Sequence, residues 1–200
     1  MNANAALKTH DEALVACAPN DNRLIRLHGL IDRLSLQRGE FTLSSGRKSS
    51  YLFQLRQTTM HPEGASLIGE LIVDFMRHHK IDCVGGLELG AVPVVSAVSV
   101  MSFQKLYPVS AFFVRKEPKK HGAKEQIDGH ISDGKEVLIV DDVTTTGQSM
   151  LSAIRPIQKK NCSINIALSI VDREEGAAEF LASHGITLYS FFKRGDFRID

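Results

Sequence analysis

The chain has 200 residues, 43% of them apolar and 24% charged, the balance of a folded domain with a core to bury. A formal net charge of +1 argues against a general attraction to nucleic acid or an acidic membrane, so any anion site must be built from locally placed charge. Cys17, Cys83 and Cys162 are odd in number and widely spaced, which points away from a disulfide framework or a zinc site and fits a reducing compartment.

Residues 1–20 read as an N-terminal arm without the basic–apolar pattern of a secretion signal, and no apolar run approaches a membrane span. The expected location is cytoplasmic. Residues 21–200 read as one domain, with no internal repeat or linker. Asn20 or Asn22 is positioned to cap a helix carrying Leu24, Leu27, Leu30, Ile31 and Leu34 on one face, which Gly39 would end. Phe41–Leu43 and Tyr51–Leu55 are expected strands of a hairpin, joined by the polar, basic turn Ser44-Ser45-Gly46-Arg47-Lys48-Ser49-Ser50. Pro62 and Glu63 suit the first turn of a helix to about His79, buried through Leu67, Ile68, Leu71, Ile72, Phe75 and Met76.

Ile81–Gly86 reads as a strand leading through a glycine-rich turn to an apolar helix over Val94–Met101. Val109–Val114 is the next strand. The polar connection 115–134 is long for a structureless loop in a compact domain, and such loops are often lids. Its start, Arg115-Lys116-Glu117-Pro118-Lys119-Lys120-His121-Gly122, packs four basic residues and a histidine into eight positions. A helix from Gln148 to about Lys160 should kink or end at Pro156. Ile164–Val171 is a strand closing in Asp172-Arg173, followed by a helix over Glu175–His184 and a strand over Thr187–Phe192. Alternation of strands and helices from residue 62 onward predicts an α/β fold with a doubly wound, mainly parallel sheet.

The chemistry concentrates at Val137–Ser149. Four apolar residues, Val137 to Val140, form a buried-strand pattern, and Asp141 and Asp142 follow at its carboxyl end. Ligands of parallel α/β sheets sit beyond such strand ends. Val143, Thr144, Thr145, Thr146 and Gly147 then supply hydroxyls, backbone N–H groups and a close-approach glycine. Gln148 and Ser149 begin a helix whose positive end faces that turn. This is a phosphate cradle. The acids would repel a phosphate and suit a cation or sugar hydroxyls instead. No G-x-x-x-x-G-K-[ST] segment accompanies them, so a P-loop NTPase is excluded.

The Val137–Ser149 stretch resembles the 5-phosphoribosyl 1-diphosphate (PRPP) loop of type I phosphoribosyltransferases. Phe-Thr-Leu-x-Ser-Gly-Arg-Lys-Ser at 41–49 resembles the N-terminal hood of the orotate-specific members, and Arg115–Gly122 resembles their catalytic loop. The resemblance runs from about residue 38 to 197. It implies a hood over about 21–60, a core over about 61–200, and transfer of phosphoribosyl from PRPP to orotate in pyrimidine synthesis. It also implies Mg2+ carried by PRPP without direct protein ligands, and a homodimer sharing its loop between subunits. By resemblance, Asp141 to Ser149 bind PRPP together with Arg115, Lys116, Lys119 and His121, of which Lys119 and His121 are catalytic. Thr145, Arg173 and Phe53 would meet orotate. Ser44 and Gly90 stand where one branch of the family has PRPP-contacting lysines, so those two roles are not carried over. Leu52-Phe53 replaces an aromatic pair, while Gly86–Ala91 is similar to a branch lacking the second lysine. The alternatives are a phosphoribosyltransferase for another base and a non-catalytic PRPP-sensing regulator. The Arg173 site and the Arg115–His121 loop weigh against the first. The second would be expected to lose the basic loop residues or gain a DNA-binding appendage, and neither is seen.

Overall fold

A computed structural model of the chain describes residues 21–42, 46, 48–117 and 126–199. A six-stranded sheet runs in the order β5-β4-β3-β6-β7-β8, formed by β3 (Cys83–Gly85), β4 (Ser110–Val114), β5 (Ile127–Gly129), β6 (Glu136–Thr144), β7 (Ser163–Asp172) and β8 (Thr187–Lys193). All neighbours are parallel except β5, which pairs antiparallel to β4. From β3 the chain steps outward to β4 and β5, then returns to β6 and proceeds the other way. The sheet therefore has its switch point between β3 and β6.

Both faces of the sheet are covered. On β6, Leu138 and Val140 join the core cluster of α3 (Pro62–His79) and α4 (Ala91–Gln104). Val137 and Ile139 join the cluster of α5 (Gln148–Ile157) and α6 (Ala177–Ala182). Burial on both sides explains the unbroken apolar run. The expected doubly wound, mainly parallel sheet is what the chain forms.

The hood is a separate two-stranded sheet, β1 (Leu36–Thr42) against β2 (Lys48–Phe53), preceded by α1 (Asn22–Leu30). Two expectations fail here. Asp21 caps α1, its carboxylate accepting the Arg23 N–H at 2.8 Å, and Asn22 is already helical. Gly39 does not end a helix: α1 passes through a π-helical turn, Ile31–Ser35, directly into β1. Pairing with β2 extends the strand back to Leu36, and Gly39 lies in the irregular stretch between Arg38 and Phe41 with φ of +147°. The second strand, β2, stops at Phe53, short of the expected Leu55, which instead caps a short helix, α2 (Arg56–Thr59).

The 115–134 connection is not structureless either, because it contains β5. Gly129, at φ +109°, lies so near β4 that a Cβ would stand 2.6 Å from the Ala111 carbonyl oxygen. Three residues are too short a run to announce a strand. Lys119 and His121, and the hairpin-tip residues Ser44, Ser45 and Arg47, lie outside the described residues. Among the described residues no helix is long and apolar enough to cross a membrane.

Candidate active site

At the switch point the turns after β3 and β6 lie side by side. A side chain on Gly90 would run into the carboxylates of Asp142 and Asp141, and one on Gly86 would meet the Val140 carbonyl. With these carboxylate positions, glycine at 90 lets the turn after β3 lie directly against the acid pair. The Glu88–Leu89 peptide in this turn is cis. The Glu88 carboxylate accepts the Lys116 backbone N–H at 3.0 Å, tying the turn to the start of the basic segment after β4.

β6 runs through the acids to Thr144. Asp141 is buried and accepts the Asp142 N–H at 3.0 Å; Asp142 accepts the Val143 N–H at 2.9 Å. Burial, and then the neighbouring Asp142 carboxylate, push the Asp141 carboxyl well above the ordinary carboxylate range. Thr144 is buried, its hydroxyl directed at the Met150 sulfur at 3.8 Å, so its side chain anchors the turn. Thr145 is half-buried and Thr146 exposed. Gly147, at φ +78°, ends the turn and starts α5. The leading N–H groups of a helix have no partners within it and are available to an anion.

A cavity of about 850 Å³ is lined by Asp141, Asp142, Val143 and Ser149 from β6–α5, Lys116 after β4, and Phe53 from the hood. A second, of about 340 Å³, shares Lys116 and Ser149 with it and adds Arg115, Gln126 and Gln148. Arg173 lines a third hollow of about 380 Å³ with Lys48 and Arg194. Strand β2 links the first and third, Phe53 lining one and Tyr51 the other, their rings 5.6 Å apart.

The two basic side chains expected at opposite ends of the site both carry partners. Arg115 donates to Asp128 at 2.5 Å, and Arg173 pairs with Glu175 at 2.9 Å. Glu88, Gln126, Asp128, Tyr51 and Arg194 were not singled out from sequence. Only Glu88, inside the turn after β3, had a positional signal.

Residues 55–184 match the model of the phosphoribosyl transferase domain. An orotate phosphoribosyltransferase of Rhodopseudomonas palustris is 46% identical over 176 residues, which is 86% of this chain and 94% of that protein. The chain belongs to the orotate phosphoribosyltransferases. The enzyme of that name from Aquifex aeolicus is 40% identical, over 84% of this chain and 93% of its own. A crystal structure of the Mycobacterium tuberculosis orotate phosphoribosyltransferase in complex with PRPP superposes with a TM-score of 0.72 at 34% identity, covering 87% of this chain and 98% of that one. The expected type I phosphoribosyltransferase fold is confirmed by these relatives. The hood, outside the matched domain, falls mostly before residue 55.

Proposed function

We propose that this protein transfers the 5-phosphoribosyl group of PRPP to orotate, forming orotidine 5′-monophosphate and diphosphate in de novo pyrimidine synthesis. One observation carries the reading. Asp141 and Asp142 at the end of β6 and Ser149 in the first turn of α5 line a single cavity together with Lys116 and the hood residue Phe53. The names of the relatives support the same reaction.

In this reading Asp141 and Asp142 accept hydrogen bonds from the ribose hydroxyls, which suits carboxylates at the cavity wall. The turn from Thr145 to Ser149 donates N–H and hydroxyl groups to the 5′-phosphate, and Thr145 also borders the base. Orotate lies toward Phe53 and offers its carboxylate to Arg173. The ring nitrogen of orotate loses its proton and bonds to the anomeric carbon as the bond to the diphosphate oxygen breaks. The diphosphate leaves with the electron pair, through a transition state with oxocarbenium character and no covalent enzyme intermediate. Catalysis is then positioning and electrostatics. Lys116 brings positive charge to the leaving group, and Arg115 joins it by exchanging Asp128 for the diphosphate. Lys119 and His121 are assigned to the same task on the strength of their sequence motif.

Among the described residues no three His, Cys, Asp or Glu side chains cluster as a metal cage. The donor set fits a magnesium ion held by the oxygens of PRPP, with the Asp141–Asp142 edge as the protein carboxylates facing it. Bound in this way, it would offset phosphate charge. A cytoplasmic homodimer with the 115–122 loop shared between subunits completes the proposal, supported by the family resemblance.

The test is orotate consumption, followed by ultraviolet absorbance, for the wild type and Lys119→Ala. Turnover should require orotate, PRPP and magnesium together and fall at least ~100-fold in the variant, the scale of losing charge stabilisation at a transition state. No turnover, with PRPP binding retained in calorimetry, would overturn the named reaction and leave a PRPP-binding protein.

A further inference from the structure

The mechanism assigns Arg173 to the substrate carboxylate but leaves open what orients a long, flexible side chain at the end of β7. The local chain supplies one restraint. Asp172 accepts the Glu174 N–H at 2.9 Å, and Glu174 adopts φ +59°. That left-handed residue turns the chain back, and the Glu175 carboxylate meets Arg173 Nη2 at 2.9 Å. The other restraint comes from the hood, 122 positions earlier in sequence: Arg173 Nε donates to the Tyr51 hydroxyl at 3.3 Å. The guanidinium carbon also lies 5.0 Å from the centre of the Tyr51 ring, and that of Arg194 lies 5.6 Å from it. The Arg173 side chain is 11% exposed.

A guanidinium has five N–H donors in a rigid plane, and a planar carboxylate is best taken by two adjacent ones. With Nε given to Tyr51 and one Nη2 proton to Glu175, the Nη1–Nη2 end is the adjacent pair that remains for a ligand. We infer that Tyr51 is a positioning residue for orotate: its hydroxyl and ring, together with Glu175, hold the Arg173 fork so that this end meets the substrate carboxylate. The inference rests on the assignment of Arg173 given above. It makes the hood part of base recognition through a residue other than Phe53.

A double-mutant cycle between Tyr51→Phe and Arg173→Lys tests it, read as orotate KM, kcat and PRPP affinity by calorimetry. Tyr51→Phe keeps the ring and removes the acceptor. It should raise orotate KM about fivefold, the scale of one ordinary hydrogen bond felt indirectly through Arg173, while PRPP affinity stays unchanged. Added to Arg173→Lys, it should raise KM no further, because the fork it orients is gone. Should Arg173→Lys raise orotate KM while Tyr51→Phe leaves it unchanged, adds fully, or weakens PRPP equally, the positioning role is overturned and the Arg173 assignment stands. An unchanged orotate KM in Arg173→Lys overturns the assignment itself, and the inference with it.

Discussion

Asp141 occupies a position that works against its own ionisation. Burial and the adjacent Asp142 carboxylate raise its proton affinity above that in the unfolded chain. By linkage, its favourable contribution is complete below the ordinary carboxylate pKa of about 3.9 and is lost as pH rises through the raised value. At neutral pH the carboxyl therefore opposes folding, through the cost of ionising it where it is buried or of protonating it there. Asp141→Asn keeps the acceptor for the Asp142 N–H and removes the charge. Its thermal midpoint should exceed that of the wild type at pH 7.5, by about 2–4 °C per kcal/mol relieved, with the gap closing below about pH 4. PRPP affinity should fall at least ~10-fold, the loss typical when hydrogen bonds to a charged group go. An unaltered midpoint at pH 7.5 would argue against the strain. The acids and Gly147 were legible in sequence because the cradle is contiguous. Tyr51 and Asp128 were not, since each acts on an arginine that only the fold brings near.

At the scale of elements, one constraint behind the site is the close crossing of α3 and α4. A Cβ on Gly69 would stand 2.6 Å from Met101 Cγ and 2.9 Å from the Ala97 carbonyl oxygen. Met101 can swing away, but the carbonyl belongs to the α4 backbone. Gly69→Val should therefore cost about 1–3 kcal/mol, read as a lower urea midpoint at constant slope. A midpoint equal to that of the wild type would mean that α4 slides freely. The helix α3 was readable almost to the residue, because proline opens it and its apolar stripe has helical period. The end of α5 was also foreshadowed: it stops at Ile157, one residue past Pro156, and continues as a single 3-10 turn. What sequence missed were elements that depend on a partner strand. β5 exists by pairing with β4, and the early start of β1 by pairing Leu36 with Phe53. No local pattern encodes either.

For the whole molecule, a shared loop makes a quantitative statement about mixtures. If Lys119 acts in the neighbouring subunit, Lys119→Ala and Asp142→Asn dimers, each nearly inactive, should exchange subunits and regain about a quarter of wild-type activity, because half the dimers then hold one intact site of two. No regain on mixing would mean that each subunit completes its own site. The α/β class was legible because its signal is summed over many elements, whereas the relation of hood to core was not. Among the described residues, the hood shares no backbone ladder with the main sheet. Side chains hold it: Arg26 to Glu63 at 2.6 Å, His28 stacked on Phe197 at 4.5 Å, and Arg38 donating to the Arg198 carbonyl at 2.9 Å. Main-chain pairing is cooperative along a strand, and side-chain contacts release more independently. Under mild urea, amide hydrogens of β1 and β2 should therefore exchange with solvent before those of β3 and β6. Over that range the molecule would still capture the sugar phosphate while having lost its grip on the base, so the two substrates would part company with the protein at different denaturant concentrations.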